Sequence, residues 1–273
     1  MKTQKTSQGA VVALVIACVV QLIPFYLALT TSFKAQNDLS SVWKFPFSGL
    51  TFTNFATAIS DGGILRSVLN SAVVTIGATL LTVLLSIFAA YPLARRRTTF
   101  NRFIELLILA MMMVPPLSIL VPLYTMLNSM GLLNTYLGLI LPLTCLELPR
   151  AVFLYTQFLR SVPTALEEAA AIDGANRFQV VLRIIFPILK PVTISVVILT
   201  GVYCWNEFAL SSYIMTDSSM KTLAPSIAAF FGAQGSNVNA AVASSLLGVL
   251  PILIAYLFLQ KYFMKGMLAG AEK

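Results

Sequence analysis

Long apolar runs separated by short polar segments dominate the chain. Six runs are long enough to predict helices, at roughly residues 10–31, 67–93, 102–128, 136–159, 192–213 and 241–263. About 20 apolar residues can cross a ~30 Å hydrocarbon layer as a helix, which satisfies its own backbone hydrogen bonds there. Pro115 and Pro116 interrupt the third run. The pattern predicts an all-α integral membrane protein of six transmembrane helices, forming a single domain over residues 1–273.

The composition supports lipid as the main solvent. Hydrophobic residues make up 58% of the chain and charged residues only 10%, whereas soluble domains carry roughly 25% charged residues. The first run exceeds the ~7–15 apolar residues of a signal peptide, so it is predicted to remain as a span.

The chain has a net charge of +8, and the positions of its cations follow the predicted membrane topology. In a six-span arrangement most of the cations fall on one side: Lys2, Lys5, Arg95, Arg96, Arg97, Arg102, Arg160, Arg177, Arg183, Lys190, Lys261, Lys265 and Lys273. The positive-inside rule makes that side cytoplasmic. Both termini and a loop at about 160–191 are then cytoplasmic, and segments at about 32–66 and 214–239 lie outside. This distribution argues against a nucleic-acid partner.

The residue inventory excludes several kinds of chemistry. The chain has no histidine, and Cys18, Cys145 and Cys204 lie within apolar runs. Histidine-based triads and the common zinc sites are therefore excluded, and no disulfide framework is indicated. We predict no catalytic residue and no metal site.

The cytoplasmic loop has the pattern of two short helices. Thr164 and Glu167 have capping-box spacing, and Gly174 can supply a left-handed stop. A second, amphipathic helix is predicted up to Pro187, with apolar residues at helical spacing: Phe178, Val181, Leu182 and Ile185.

This loop could be a connector on the lipid headgroups or a docking element for a partner protein. Glu167, Glu168 and Asp173 place negative charge beside an anionic leaflet, which disfavours adsorption. Ala169 and Ala170 leave a slim helix that a groove in another protein could enclose. Docking is therefore the favoured interpretation.

The loop resembles the EAA loop of permease subunits of binding-protein-dependent ABC importers, EAA-x3-G-x9-I-x-L-P. The matching residues are Glu168, Ala169, Ala170, Gly174, Ile184 and Pro187, while Phe186 stands at the pattern's Leu. Further segments are similar to carbohydrate-uptake permeases of the MalG type: residues 122–124, 130–135, 139–142, 205–208 and 266–271.

The resemblance implies the type I importer fold in a bacterial cytoplasmic membrane. It implies a second, related permease, two copies of an ATPase subunit that bind ATP and Mg, and a solute-binding protein. The EAA helix would be the coupling helix: Glu167, Glu168, Ala169, Ala170, Asp173 and Gly174. The chain itself has no Walker A pattern, so it is expected to bind no cofactor and not to be an enzyme.

Charged residues at membrane depth are candidates for the substrate pathway. Glu147 and Arg150 are three residues apart, so they can pair on one helix face. The pair is either structural or part of the translocation cavity. Glu105 is expected to pair with Arg102 near the cytoplasmic surface.

Trp205, Asn206 and Glu207 form the other candidate group. Together they suit stacking on a sugar ring and hydrogen bonding to its hydroxyls. The same residues also suit an anchor in the headgroup region. We expect the substrate to be a sugar, oligosaccharide or sugar derivative. A permease for a polyol or glycerophosphodiester and a stand-alone secondary carrier remain alternatives.

Overall fold

The computed structural model describes residues 8–38, 40–232 and 237–271, with side chains left out at 259 and 261–271. Lys2, Lys5 and Lys273 lie outside the described residues. Regular structure within them is helical. The helices are α1 Gln8–Ser32, α2 Thr53–Ser60, α3 Ile64–Arg95, α4 Thr99–Met111, α5 Leu120–Ser129, α6 Tyr136–Ser161, α7 Ala165–Ile172, α8 Arg177–Gln179, α9 Phe186–Ile188, α10 Lys190–Trp205, α11 Ala209–Ile214, α12 Leu223–Ala229 and α13 Val238–Ala271. A 3-10 turn, Pro116–Ile119, precedes α5, and a π-helical segment, Val180–Ile185, joins α8 to α9.

The predicted membrane helices are present, although two of them are broken. Among the described residues, α1, α3, α6 and the Val238–Phe258 part of α13 are long and apolar enough to span a membrane. Two further pairs pass the same test together but bend sharply, by 94° between Thr99–Met111 and Pro116–Ser129 and by 78° between Arg177–Ile188 and Lys190–Trp205. The all-helical prediction is confirmed, with six spans when each bent pair counts as one.

The breaks have local causes. Pro115 is extended (φ −64°, ψ 126°) and precedes another proline, which disfavours helical backbone before it. The predicted fifth run over 192–213 is wrong as a continuous helix, because α10 ends at Trp205 and α11 begins at Ala209. The outer segments also contain helices, α2 and α12, where the sequence indicated loops.

Contacts group the chain into two compact units. One comprises Met1–Leu65 and Ser226–Leu250; in it the Asn54 amide donates to the carbonyls of Ser32 (2.8 Å) and Lys34 (2.7 Å), fixing α2 against the end of α1. The other comprises Arg66–Pro225 and Pro251–Lys273 and carries the candidate sites. The single-domain interpretation stays a prediction.

The main apolar cluster of the second unit includes residues of the 160–191 loop. It joins residues from α3, α6, the Arg177–Ile188 segment and α10. Its fully buried members include Tyr155, Leu159, Ile185 and Leu189. The predicted loop is therefore packed onto the membrane helices along its second half.

A candidate coupling loop and an intramembrane ion pair

Helix α7 is the first half of the 160–191 loop and ends where the sequence predicts. Gly174 has φ +84°, so it supplies the left-handed stop. The Ala175 amide donates to the Ala170 carbonyl (3.0 Å) and the Gly174 amide to the Ala171 carbonyl (3.1 Å). These two bonds are the Schellman arrangement, which satisfies carbonyls at a helix end.

The predicted capping box at the start of α7 is wrong. Thr164 has helical backbone (φ −69°, ψ −22°) and makes no side-chain cap. The capping box forms instead at the next helix start, where Asn176 accepts from the Gln179 amide and Gln179 accepts from the Asn176 amide, both at 2.9 Å. The Glu167 side chain is thereby free for a different partner.

Glu167 pairs with residues of α3. Arg95 Nε donates to one carboxylate oxygen at 2.7 Å, and the Tyr91 hydroxyl donates to the other at 2.8 Å. Arg95 also donates to the Leu159 carbonyl of α6 at 2.8 Å. The side chains of Glu167 and Arg95 are each only 12% exposed. This network of Tyr91, Arg95, Glu167 and Leu159 ties α7 to the C-terminal ends of α3 and α6.

The opposite side of α7 is exposed in the part of the chain that the structure describes. Ala170 is buried, whereas Glu168, Ala169 and Asp173 are exposed. Ile172, the last residue of α7, is 87% exposed. The exposed side of α7 therefore combines one apolar side chain with two acidic ones. Ile172 was not among the residues predicted for the coupling helix. The sequence feature that could have identified it is an isoleucine directly after three alanines.

The second half of the loop packs through a different face from the predicted one. Val181 and Ile185 are buried as expected, but Leu182 and Phe178 are exposed, and Val180 replaces them in the core. Phe178 stacks instead on Phe88 of α3, with ring centroids 5.7 Å apart. The π-helical segment Val180–Ile185 lies at this contact. Its wider turn changes which residues share a face.

Glu147 and Arg150 form the predicted ion pair on α6. The Glu147 side chain is 6% exposed and also hydrogen-bonds Thr200 of α10. The Arg150 side chain is 32% exposed, and its guanidinium lies 6.0 Å from the centre of the Tyr203 ring. The carboxylate is thus a buried counterion, and the arginine is the more accessible member.

The Trp205–Glu207 group lies at the break between α10 and α11. Glu207 accepts from the amides of Leu210 (2.6 Å) and Ser211 (2.8 Å), so its carboxylate caps α11. Asn206 donates to the Val202 carbonyl of its own helix at 2.8 Å. Trp205 is buried and lines a largely apolar groove of about 590 Å³. The structure accounts for Glu207 as a cap, and the sugar-contact role of the group stays a prediction.

Glu105 pairs with Arg160 of α6 rather than with Arg102, the partner that the sequence predicts. The predicted second outer segment is fixed near its start, because the Asn70 side-chain amide donates to the carbonyls of Ser219 (3.0 Å) and Lys221 (2.9 Å). Hydrogen bonds from the backbone and hydroxyl of Ser219 hold the pKa of Asp217 in this segment below its usual range. Residues 233–236 of the segment lie outside the described residues.

Comparisons with known proteins agree with this architecture. The family described as "Binding-protein-dependent transport system inner membrane component" matches residues 82–268. The chain is 38% identical, over the full length of both proteins, to the melibiose/raffinose/stachyose import permease MelC of Bacillus subtilis (strain 168). It is 35% identical to the multiple sugar-binding transport permease MsmG of Streptococcus mutans, over 96% of this chain and 95% of the relative. A crystal structure of a bacterial ABC transporter that imports alginate aligns with a TM-score of 0.79 at 19% identity, covering 96% of this chain and 100% of the other.

Proposed function

The chain belongs to the binding-protein-dependent transport system inner membrane component family, and from this premise we propose that it forms half of the translocation pathway of an ATP-driven importer. It would sit in a bacterial cytoplasmic membrane with both termini and α7 on the cytoplasmic side. A second, related permease would form the other half. A solute-binding protein outside would deliver the substrate.

The observation that carries this proposal is the two-sided design of α7. One side is fixed by the part-buried Glu167–Arg95 pair, while the other presents Glu168, Ala169 and the 87% exposed Ile172. A helix that is hydrogen-bonded to membrane spans on one side and exposed on the other can transmit a displacement from a partner protein to those spans. ATP can drive alternating access only if the ATPase binds two permease states with different free energy, and α7 is where this difference would enter.

Two ATPase subunits would therefore dock on the importer, one of them at α7, and would carry ATP and Mg. The chain itself would bind no cofactor and catalyse no reaction. In this arrangement Glu168, Asp173 and Ile172 face the ATPase, and Gly174 sets the end of the docked helix.

The proposed substrate class is a sugar, oligosaccharide or sugar derivative. Support comes from the names of the relatives, which import melibiose, raffinose and stachyose or multiple sugars. Arg150 is the best candidate for a polar contact along the pathway, since a third of its side chain is exposed, with Glu147 as its counterion. Trp205, Asn206 and Glu207, at the end of α10, would contribute sugar contacts at the outer end of the pathway.

Reconstitution tests both halves of the proposal. The permease would be inserted in liposomes with its partner permease, ATPase and binding protein, and uptake of radiolabelled melibiose or raffinose measured. Uptake should require ATP. Gly174→Asp and Glu168→Lys should insert normally but lose uptake, while Gly49→Asp, at an open position of the outer segment, should retain it. Normal uptake by either loop variant would contradict the coupling role.

A further inference from the structure

A basic pocket lies where α3 passes into α4, apart from the coupling loop and the intramembrane pair. It has a volume of about 530 Å³ and is lined by Arg96, Arg97, Arg102 and Arg160 with one carboxylate, Glu105. Glu105 is already paired with Arg160. Among the described residues, the other three arginines make no ion pair. The pocket therefore presents three uncompensated positive charges.

The backbone that carries these arginines is held in a defined turn. The Asn101 side-chain amide donates to the carbonyls of Pro92 (2.9 Å) and Arg96 (2.7 Å). The Thr98 hydroxyl caps α4 by accepting from the Asn101 backbone amide at 3.1 Å. The turn Arg96–Arg97–Thr98 is thus fixed before any ligand arrives, which lowers the entropy cost of binding there.

An apolar surface continues directly from the basic pocket. Within α4 no residue is buried, and Phe103, Leu106 and Leu107 are exposed. Arg102 and Leu106 are four residues apart, so they are neighbours on the helix surface. The cationic cluster is therefore followed, one helical turn further along α4, by an exposed apolar face.

We propose that this pocket binds the phosphate headgroup of an anionic phospholipid, whose acyl chains lie along α4. Guanidinium groups match phosphate oxygens in bidentate geometry, and anionic lipids attract basic clusters next to spans. An acidic surface of the ATPase would match the arginines but would leave the apolar face of α4 uncovered. A lipid satisfies both features. The proposal depends on the proposed function only in assigning the pocket to the cytoplasmic leaflet.

Native mass spectrometry of the intact transporter complex in nanodiscs tests this site. The probes are phosphatidylglycerol, phosphatidylethanolamine and inorganic phosphate, each titrated separately. Arg96→Gln/Arg102→Gln should lower the affinity for phosphatidylglycerol on the order of tenfold and leave phosphatidylethanolamine retention unchanged. Arg96→Lys/Arg102→Lys keeps the charge but loses the bidentate geometry, so it should bind phosphatidylglycerol more weakly than wild type and more tightly than the glutamine variant.

A matched control removes the same charge elsewhere on the cytoplasmic side. Arg177→Gln/Arg183→Gln changes two exposed arginines of the loop and should leave phosphatidylglycerol binding within about twofold of wild type. An equal loss of phosphatidylglycerol binding in both glutamine double variants would show that only the overall charge matters, and would overturn the site. Loss of the ATPase from the Arg96→Gln/Arg102→Gln complex, with lipid binding intact, would assign the pocket to a protein partner. Equally tight binding of inorganic phosphate would remove any role for the lipid tails.

Discussion

The part-buried ion pair between Glu167 and Arg95 should determine how firmly α7 is held on the membrane helices. Glu167→Gln removes a carboxylate that accepts two short hydrogen bonds, and it leaves Arg95, 12% exposed, with the Leu159 carbonyl as its main acceptor. Charge-assisted bonds contribute about 1.5–3 kcal/mol each, and the glutamine amide can replace one of them in neutral form. The net cost to α7 docking should be about 2 kcal/mol.

Hydrogen–deuterium exchange of the assembled transporter measures this cost directly. A decrease of about 2 kcal/mol in local opening free energy raises the exchange rate of α7 amides about 30-fold. Arg95→Gln should have a similar effect. The double variant should cost about 1–2 kcal/mol less than the sum of the two, because two neutral amides can pair with one another.

The control is Arg183→Gln, which removes an exposed charge from the same loop and should change α7 exchange less than twofold. Unchanged exchange in Glu167→Gln, or strict additivity in the double variant, would show that the pair does not anchor α7.

Three further substitutions follow from geometry. Gly174→Ala forces φ +84° on a residue with a Cβ and should destabilise the end of α7 by about 1 kcal/mol, seen as roughly fivefold faster local exchange. Gly138→Ala would place a Cβ 2.0 Å from the Leu132 carbonyl oxygen and should destabilise the permease by about 2–3 kcal/mol, lowering its unfolding temperature in detergent. Glu147→Gln should destabilise the protein by about 3 kcal/mol by leaving Arg150 unpaired at depth, and Glu147→Leu/Arg150→Leu should recover most of that stability. Recovery of stability without recovery of sugar uptake would assign Arg150 to the pathway, whereas full recovery of both would make the pair purely structural.

The membrane spans and some helix ends could be predicted from the sequence, because they depend on hydropathy and on the backbone preferences of proline and glycine. The spans were predicted because lipid imposes length and apolarity on them. Pro115 marked one break because proline restricts the residue before it, and Gly174 marked the end of α7 because glycine alone adopts φ > 0 at no cost.

Side-chain partners were not readable, because they depend on packing between distant segments. Glu167 fits a capping box by local spacing, but Arg95, 72 residues earlier, supplies stronger, charged hydrogen bonds. The break after Trp205 was missed because Asn206 and Glu207 were interpreted as a sugar contact or a headgroup anchor, and only the hydrogen bonds from the amides of Leu210 and Ser211 show that Glu207 is a helix cap. The exposure of Ile172 likewise required the fold.

The most direct test of the account is native mass spectrometry of the complex that copurifies with the tagged chain in mild detergent. An importer subunit should bring down one second permease and two ATPase chains. Replacing Ile172, which is 87% exposed on α7, by glutamate should release the ATPase while the two permeases stay together. Recovery of the chain alone or as a homodimer, with transport retained in liposomes, would contradict the importer assignment and reduce the 160–191 loop to a connector.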